Sequence, residues 1–307
     1  MKILVMGAGA IGSCYGGLLA KKGEDVALVA RGVNAEAIRR QGLYVDSATE
    51  GRFTAHPRVI EKPDGSWLPD LVLFCVKGYD NEAAMELMAP AIGPSTSILT
   101  LQHGLGGGDR LADRFGREKT LLGAAYIEAE RKGPGNVAHY GSKPRIVFGE
   151  ESGAASERTS IIRQTLQEAG IDAQVSDDIY TDLWSKLIFV CSLSGMCCIT
   201  RSSFAEVLDD PETSALALRI MQEVYVVGRA SGVDLPGGVV QSHMEHFRRE
   251  KEELVSSMYM DLLAGNRLEL SVINGAVSVA GRRVGVPTPI NDFITSCLSL
   301  ADKRASV

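Results

Sequence analysis

Apolar and polar positions alternate in two distinct registers along this chain. Lys2–Met6, Val26–Ala30, Leu71–Val76 and Ser97–Leu101 are short, nearly unbroken apolar runs, the signature of strands buried on both faces of a parallel sheet. Helical periodicity separates them. It runs from Gly12 to Lys22 with Gly23 as its cap, over Asn34–Gln41, over Glu82–Met88 to Pro90, and over Arg158–Gly170. Leu43–Asp46 and Phe53–Pro57 read as short excursion strands. Leu121–Ile127, Gly133–Tyr140, Arg145–Phe148 and Ala173–Ser176 read as further strands, with a turn at Gly133-Pro134-Gly135-Asn136. Past Asp177 the period becomes helical. Helices are expected over Asp182–Met196, Phe204–Leu208, Pro211–Ala230, Val239–Arg248, Lys251–Met260, Leu268–Val284 and Thr288–Asp302. The expected fold is an α/β Rossmann-type dinucleotide-binding domain over 1–176, followed by an all-α substrate domain over 177–307.

The first turn carries chemistry. Gly7-Ala8-Gly9-Ala10-Ile11-Gly12 lies between the first strand and the first helix. Gly7 permits the tight turn, Gly9 lets backbone amides approach a pyrophosphate, and Gly12 lets the helix pack on the strands. The free N–H groups of the helix start, with Ala10 and Ile11, face the phosphates. An NAD site usually ends its second strand with an acidic residue on the ribose 2'-hydroxyl; this chain has Ala30-Arg31. A guanidinium pairs with a 2'-phosphate, so the residue points to NADP, against a merely solvated strand-end arginine. Lys77 and His103 follow two other strands, at the ends where ligands bind an open parallel sheet. Lys77 is a candidate cofactor contact or a surface lysine. His103, ahead of Gly104-Leu105-Gly106-Gly107-Gly108, either lies beside the nicotinamide or serves the loop as a structural hydrogen-bond partner.

Composition narrows the choice by exclusion. The 307 residues are 45% apolar and 23% charged, with a net charge of -6, which disfavours disorder and a nucleic-acid or anionic-membrane partner. Six cysteines without paired CxxC spacing read as reduced thiols in a cytoplasmic protein and give no zinc site. Glycines interrupt the apolar N-terminus, so a secretion signal is not expected. Leu187–Ile199 is apolar but too short to span a bilayer. His243, His246 and Glu250 share a helix face without an HExxH pattern and read as surface residues; no metal is expected.

In the second half, Lys186 sits inside an apolar helix. Burial lowers a lysine's pKa and helps it release a proton, whereas a helix lysine commonly snorkels out to water. Val190 and Ser194 follow on the same face. Glu269 opens an otherwise apolar helix; it either orients the Lys186 ammonium or a substrate hydroxyl, or is an ordinary first-turn glutamate. Asn274 lines a neighbouring wall, and Ser256-Ser257 reads as a polar step or a cap.

These residues together resemble the ketopantoate reductase family, the 2-dehydropantoate 2-reductases. The resemblance covers nearly the whole chain: the glycine turn, Arg31, Lys77, Leu101-Gln102-His103-Gly104, Gly133-Pro134-Gly135, Leu183-Trp184-Ser185-Lys186-Leu187, Ser256-Ser257-Met258, Asp261, Gly265, Glu269, Asn274-Gly275 and Val286-Pro287-Thr288-Pro289 with Asn291. It implies NADPH as hydride donor and a small 2-oxo acid as acceptor, ketopantoate to pantoate being the family reaction. It implies Lys186 as general acid, Glu269 as anchor of the substrate hydroxyl and aid to Lys186, and Ser257 on the substrate carboxylate. Arg31 and Lys77 would meet the cofactor. Three positions depart from the family pattern: His103, Val190 and Ser194 stand where asparagines are usual. Loss of those amides points to a different, less hydroxylated or aromatic oxo acid. An imine reductase on the same scaffold and a non-catalytic NADP-binding regulator are the alternatives. The apolar helices of the second half fit either a homodimer or a core alone.

Overall fold

The computed structural model describes residues 1–306. Contacts divide the chain into two units. One is Met1–Gln102 with Gly107–Ile179; the other is Tyr180 onward together with the loop His103–Gly106. The composition shift near Asp177 thus lies close to the division, but composition gives no sign that four residues of the first half belong to the second unit.

The first unit contains, in chain order, β1 (Lys2–Met6), α1 (Ala10–Lys21), β2 (Asp25–Val29), α2 (Gly32–Gln41), β3 (Leu43–Ser47), β4 (Gly51–Ala55), β5 (Arg58–Ile60), β6 (Leu71–Phe74), α3 (Asn81–Met88), β7 (Ser97–Thr100), α4 (Gly107–Phe115), β8 (Thr120–Gly133), β9 (Asn136–Gly149), α5 (Glu157–Glu168) and β10 (Asp172–Val175). The strands form one sheet in the order β4-β3-β9-β8-β7-β6-β1-β2-β5, with β10 on β9. From β8 to β5 all neighbours are parallel; Val5 of β1 lies opposite Leu28 of β2 and Leu73 of β6.

Successive side chains of a strand leave opposite faces, and here both faces are covered. Ile3, Val5, Leu28 and Leu73 join Tyr15, Leu18 and Leu19 of α1 in one core. Leu4, Met6, Val29 and Phe74 join Met85 and Met88 of α3 and Leu111 of α4 in another. This explains why the central strands read as unbroken apolar runs. Helix α4 begins inside the glycine run, where a loop is expected, and Leu111 is its one buried residue. The hairpin β8–β9 is continuous through residues 141–144, which separate two expected strands, with register shifts at Tyr126/Glu128 and Arg131/Gly133. The three-residue edge strand β5 carries too short a pattern to be read.

The second unit is helical: α6 (Ile179–Thr200), α7 (Phe204–Asp209), α8 (Pro211–Ala230), α9 (Val239–Glu250), α10 (Ser257–Leu263), α11 (Asn274–Val284) and α12 (Pro289–Ala305). Local caps fix several ends. Ser203 and Glu206 form a capping box on α7, Asp210 caps α8 ahead of Pro211, and left-handed Gly285 ends α11. At 22 residues, α6 is long and apolar enough to cross a membrane by length and composition, longer than its apolar run suggests. Its Trp184, Ile188 and Cys191 instead pack with Phe204, Ile220, Val224 and Phe247 in the core of this unit.

Two expected helices are shorter than their patterns. Residues 251–256 leave the helix, and Ser256 then caps α10 by accepting the Tyr259 N–H at 3.1 Å. The apolar spacing Leu268, Leu270, Ile273 mimics a helix, yet 268–273 is irregular and turned, and α11 starts only at Asn274. All six cysteines are free thiols.

Candidate functional site

The first unit presents the glycine turn, and each glycine there has its own physical reason. Gly7 has φ +105, and a Cβ on it would lie 3.0 Å from Val76 Cγ1 and 3.2 Å from the Cys75 carbonyl carbon. A Cβ on Gly12 would lie 2.1 Å from the Gly7 carbonyl oxygen, so α1 approaches β1 only through glycine there. Gly9 differs: nothing stands within 4 Å of its Cβ position, and no side chain caps the helix it precedes. Ala10 and Ile11 form the first helical turn, which contains no acidic residue. An open helix start beside an open glycine fits a dinucleotide pyrophosphate.

The strand ends around this turn are cross-tied. The Ala8 N–H donates to the Val29 carbonyl at 3.2 Å. Asn34, in the first turn of α2, donates from Nδ2 to the Ala8 carbonyl at 3.3 Å and accepts the Gly135 N–H at 2.9 Å. Arg31 is exposed at the start of α2, and residues 29–34 contain no carboxylate. Lys77 is half-buried just past β6. Gln102 joins the ends of β6 and β7, donating from Nε2 to the Val76 carbonyl at 2.8 Å and to Asn81 Oδ1 at 2.5 Å. Sequence pattern singles out neither Asn34 nor Gln102 as a tie, because their partners lie 21 to 101 residues away.

The second unit brings Lys186 and Glu269 together. Lys186 is half-buried on α6 and Glu269 is buried in the irregular segment before α11. Desolvation lowers the Lys186 pKa to about 8, and the Glu269 charge acts in the opposite sense, favouring the ammonium. Glu269 is therefore a buried carboxylate in a turn, not a first-turn helix residue. Val190 is half-buried one turn beyond Lys186. Ser194, a turn further on, is buried, and its Oγ accepts from Ser256 Oγ at 3.2 Å. Ser257 is the exposed first residue of α10. The structure thus gives the serine pair two roles, Ser256 as a cap tied to Ser194 and Ser257 open to solvent.

Asn274 is fully buried. Its Nδ2 donates to the Cys191 carbonyl at 3.2 Å and to Asn291 Oδ1 at 2.9 Å. The half-buried His103 belongs to this unit because its loop docks on the Glu269 segment. The Leu105 N–H donates to the Val272 carbonyl at 3.1 Å. Gly104 has φ +78, and a Cβ there would fall 1.7 Å from the Val272 oxygen. His243 is not a surface residue. It is half-buried, with Nε2 3.1 Å from Ser185 Oγ, its ring edge-on to Phe189, and burial lowers its pKa. No cluster of three or more metal-ligating side chains occurs among the described residues.

A doubly covered parallel sheet with an open glycine turn, joined to a helical unit holding a desolvated lysine beside a buried carboxylate, defines an NAD(P)-dependent oxidoreductase. The chain belongs to the ketopantoate reductase family: its residues 3–153 match the family model described as ketopantoate reductase PanE/ApbA, and residues 178–302 match the model of the C-terminal part. It is 32% identical to the 2-dehydropantoate 2-reductase of Mesorhizobium japonicum, over 96% of this chain and 95% of that one. Among solved structures, a 2-dehydropantoate 2-reductase from Geobacter metallireducens superposes with a TM-score of 0.92 at 32% identity, covering 98% of this chain and 100% of the other. A D-mandelate dehydrogenase in ternary complex with NADH and anilino(oxo)acetate superposes with a TM-score of 0.91 at 25% identity, over 100% of both chains.

Proposed function

We propose that this chain reduces a 2-oxo acid to the 2-hydroxy acid with NADPH, ketopantoate to pantoate being the reaction its family is named for. The observation that carries this reading is Lys186: a desolvated ammonium, held charged by Glu269, in a protein whose other unit has a dinucleotide turn. Arg31, with no carboxylate at the end of β2 or in the first turn of α2, supports NADPH over NADH. The nicotinamide, when bound, supplies the hydride.

The chain's own residues do the rest. Reduction of a ketone builds negative charge on the carbonyl oxygen. An ammonium donating a hydrogen bond to that oxygen is worth more in the transition state than in the ground state. The Lys186 Nζ proton passes to the oxygen, and a lysine with a pKa near 8 gives it up more readily than one at 10.5. Glu269 keeps the ammonium charged before transfer and accepts a hydrogen bond from a substrate hydroxyl when one is present. The exposed Ser257 hydroxyl donates to the acceptor's carboxylate. Gly7, Gly9, Ala10, Ile11 and Gly12 would receive the pyrophosphate, and Arg31 and Lys77 of the same unit would complete the cofactor's surroundings there.

A second reading concerns the acceptor. Val190 offers no hydrogen bond, and the Ser194 hydroxyl is buried against Ser256. Both favour a 2-oxo acid with an apolar side chain over a hydroxylated one, and the likeness to a D-mandelate dehydrogenase points the same way. The test follows NADPH absorbance with purified protein and a panel holding ketopantoate, 3-methyl-2-oxobutanoate (ketopantoate without its hydroxyl) and phenylglyoxylate. Turnover of at least one acceptor, with NADPH favoured over NADH, is expected, and the acceptor ranking decides between the two readings. Binding of NADPH with no turnover across the panel overturns both in favour of a non-catalytic role.

A further inference from the structure

We propose that Asn274 is a positioning residue that sets the Lys186–Glu269 pair, and that Glu223, on a helix remote in sequence from both, fixes the direction in which the Asn274 amide points. The inference rests on the proposed role of that pair. Asn274 is the first residue of α11, five residues past Glu269, and the Cys191 carbonyl it reaches lies five residues past Lys186 on α6. One side chain therefore ties the segment that carries the carboxylate to the helix that carries the ammonium.

The orientation of the amide is determined, not merely compatible. An asparagine NH2 has two hydrogens and no acceptor capacity, and both are used at Asn274, on the Cys191 carbonyl and on Asn291 Oδ1. Asn291 presents its oxygen to Asn274 because its own Nδ2 is given to Glu223 Oε2 at 2.7 Å. A carboxylate only accepts. Glu223 also takes the backbone N–H groups of Ile290 at 2.9 Å and Asn291 at 3.0 Å, so it anchors the first turn of α12. The Glu223 acceptor thus sets the direction: Asn291 donates to it and accepts from Asn274, whose second N–H is given to a main-chain carbonyl of the lysine helix.

Gly195 makes the last contact sterically open. The helical partner of the Cys191 carbonyl is the N–H four residues on, at Gly195. A Cβ at Gly195 would lie 3.2 Å from Asn274 Nδ2 and 2.9 Å from Ile294 Cδ1. Glycine there gives the amide its way to a carbonyl already engaged in the helix. Asn274 and Asn291 are both wholly buried, where a misdirected amide is costly.

The readout is the titration of Lys186. Glu269 is the charged group whose field on it registers. Asp182 lies one turn before it on α6, and the loop docked on the Glu269 segment carries His103. Loosening the tie weakens the influence of Glu269, which raises the lysine's pKa, so the pKa falls. Three variants are compared with wild type: Asn274→Ala, Glu223→Gln, and Glu223→Gln combined with Asn291→Asp. In Glu223→Gln the side chain at 223 gains an NH2, and Asn291 becomes free to turn its own NH2 toward that of Asn274. In the double variant an aspartate at 291 accepts from both sides, and the direction is restored.

Lysine NMR with 13C at Cε reads Lys186 directly and needs no turnover; the alkaline limb of kcat/KM reads it in the working enzyme. Asn274→Ala and Glu223→Gln are expected to move both to lower pH and to reduce kcat on the order of tenfold, while dinucleotide affinity stays at wild type. The double variant is expected to recover most of the loss. The proposal is overturned if the single variants fold, lose thermal stability alone and leave the Lys186 titration in place, or if the double variant is no better than Glu223→Gln. Absence of turnover in wild type counts against the reductase reading, and the NMR titration still decides this proposal.

Discussion

Glu269 opposes the loss of charge that burial imposes on Lys186. Desolvation is the larger effect and brings the lysine to about 8, while the carboxylate pulls it back up. A proton donor must be protonated to act. The reductive kcat/KM should therefore be level below about pH 8 and fall as pH rises through it, well short of the 10.5 of an ordinary lysine. Glu269→Gln removes the stabilising charge and is expected to move this limb further down in pH. A pH–rate profile of both proteins checks the sign, and a limb that rises or stays fixed in the variant refutes the assignment.

Truncating the lysine separates chemistry from binding. Lys186→Ala is expected to lower kcat by about 10²- to 10⁴-fold, the usual worth of a positioned acid. Dinucleotide affinity, measured by fluorescence titration, should not change, since no residue of the glycine turn is touched.

Gly12 and Gly9 of the turn should respond differently to the same methyl group. Gly12→Ala forces a Cβ against the Gly7 carbonyl oxygen at 2.1 Å, and a loss of about 2–3 kcal/mol is expected from overpacking. Gly9→Ala meets nothing within 4 Å, so thermal stability should hold while dinucleotide affinity falls. Melting curves with and without cofactor distinguish the two effects.

Arg31→Ala tests the choice of cofactor. A charge-assisted hydrogen bond is worth about 1.5–3 kcal/mol, or roughly a ten- to hundredfold weakening of NADPH. NADH, lacking the 2'-phosphate, should be unaffected. Equal losses for both would mean the guanidinium does not read that phosphate.

What the sequence discloses depends on how far apart the partners are. The glycine turn and central strands are legible because their pattern is local: a buried strand between two helical layers must be apolar throughout, and the three glycines stand within six residues of one another, Gly12 against the Gly7 carbonyl. Lys186 stands out because an apolar helix has no evident use for it. The Leu268–Ile273 segment misleads, since buried turns and helices can share a spacing of apolar residues. His243 misleads in the other direction: Phe189, which shelters it, is 54 residues away. Asn34 and Glu223 show no local pattern, and Gln102 and Asn291 enter only through the family resemblance without a role, because each acts through hydrogen bonds to segments that meet only in the folded chain.

Burial has a practical side at the cysteines. It pushes the thiols of Cys14, Cys75, Cys197 and Cys198 up to about 12 and that of Cys191 well above its ordinary value, so at neutral pH they hold almost no reactive thiolate. Cys297, exposed on α12, is the one left in the open. A maleimide dye added to the native protein should attach at that address alone, placing a spectroscopic reporter on the helical unit without engineering a single residue.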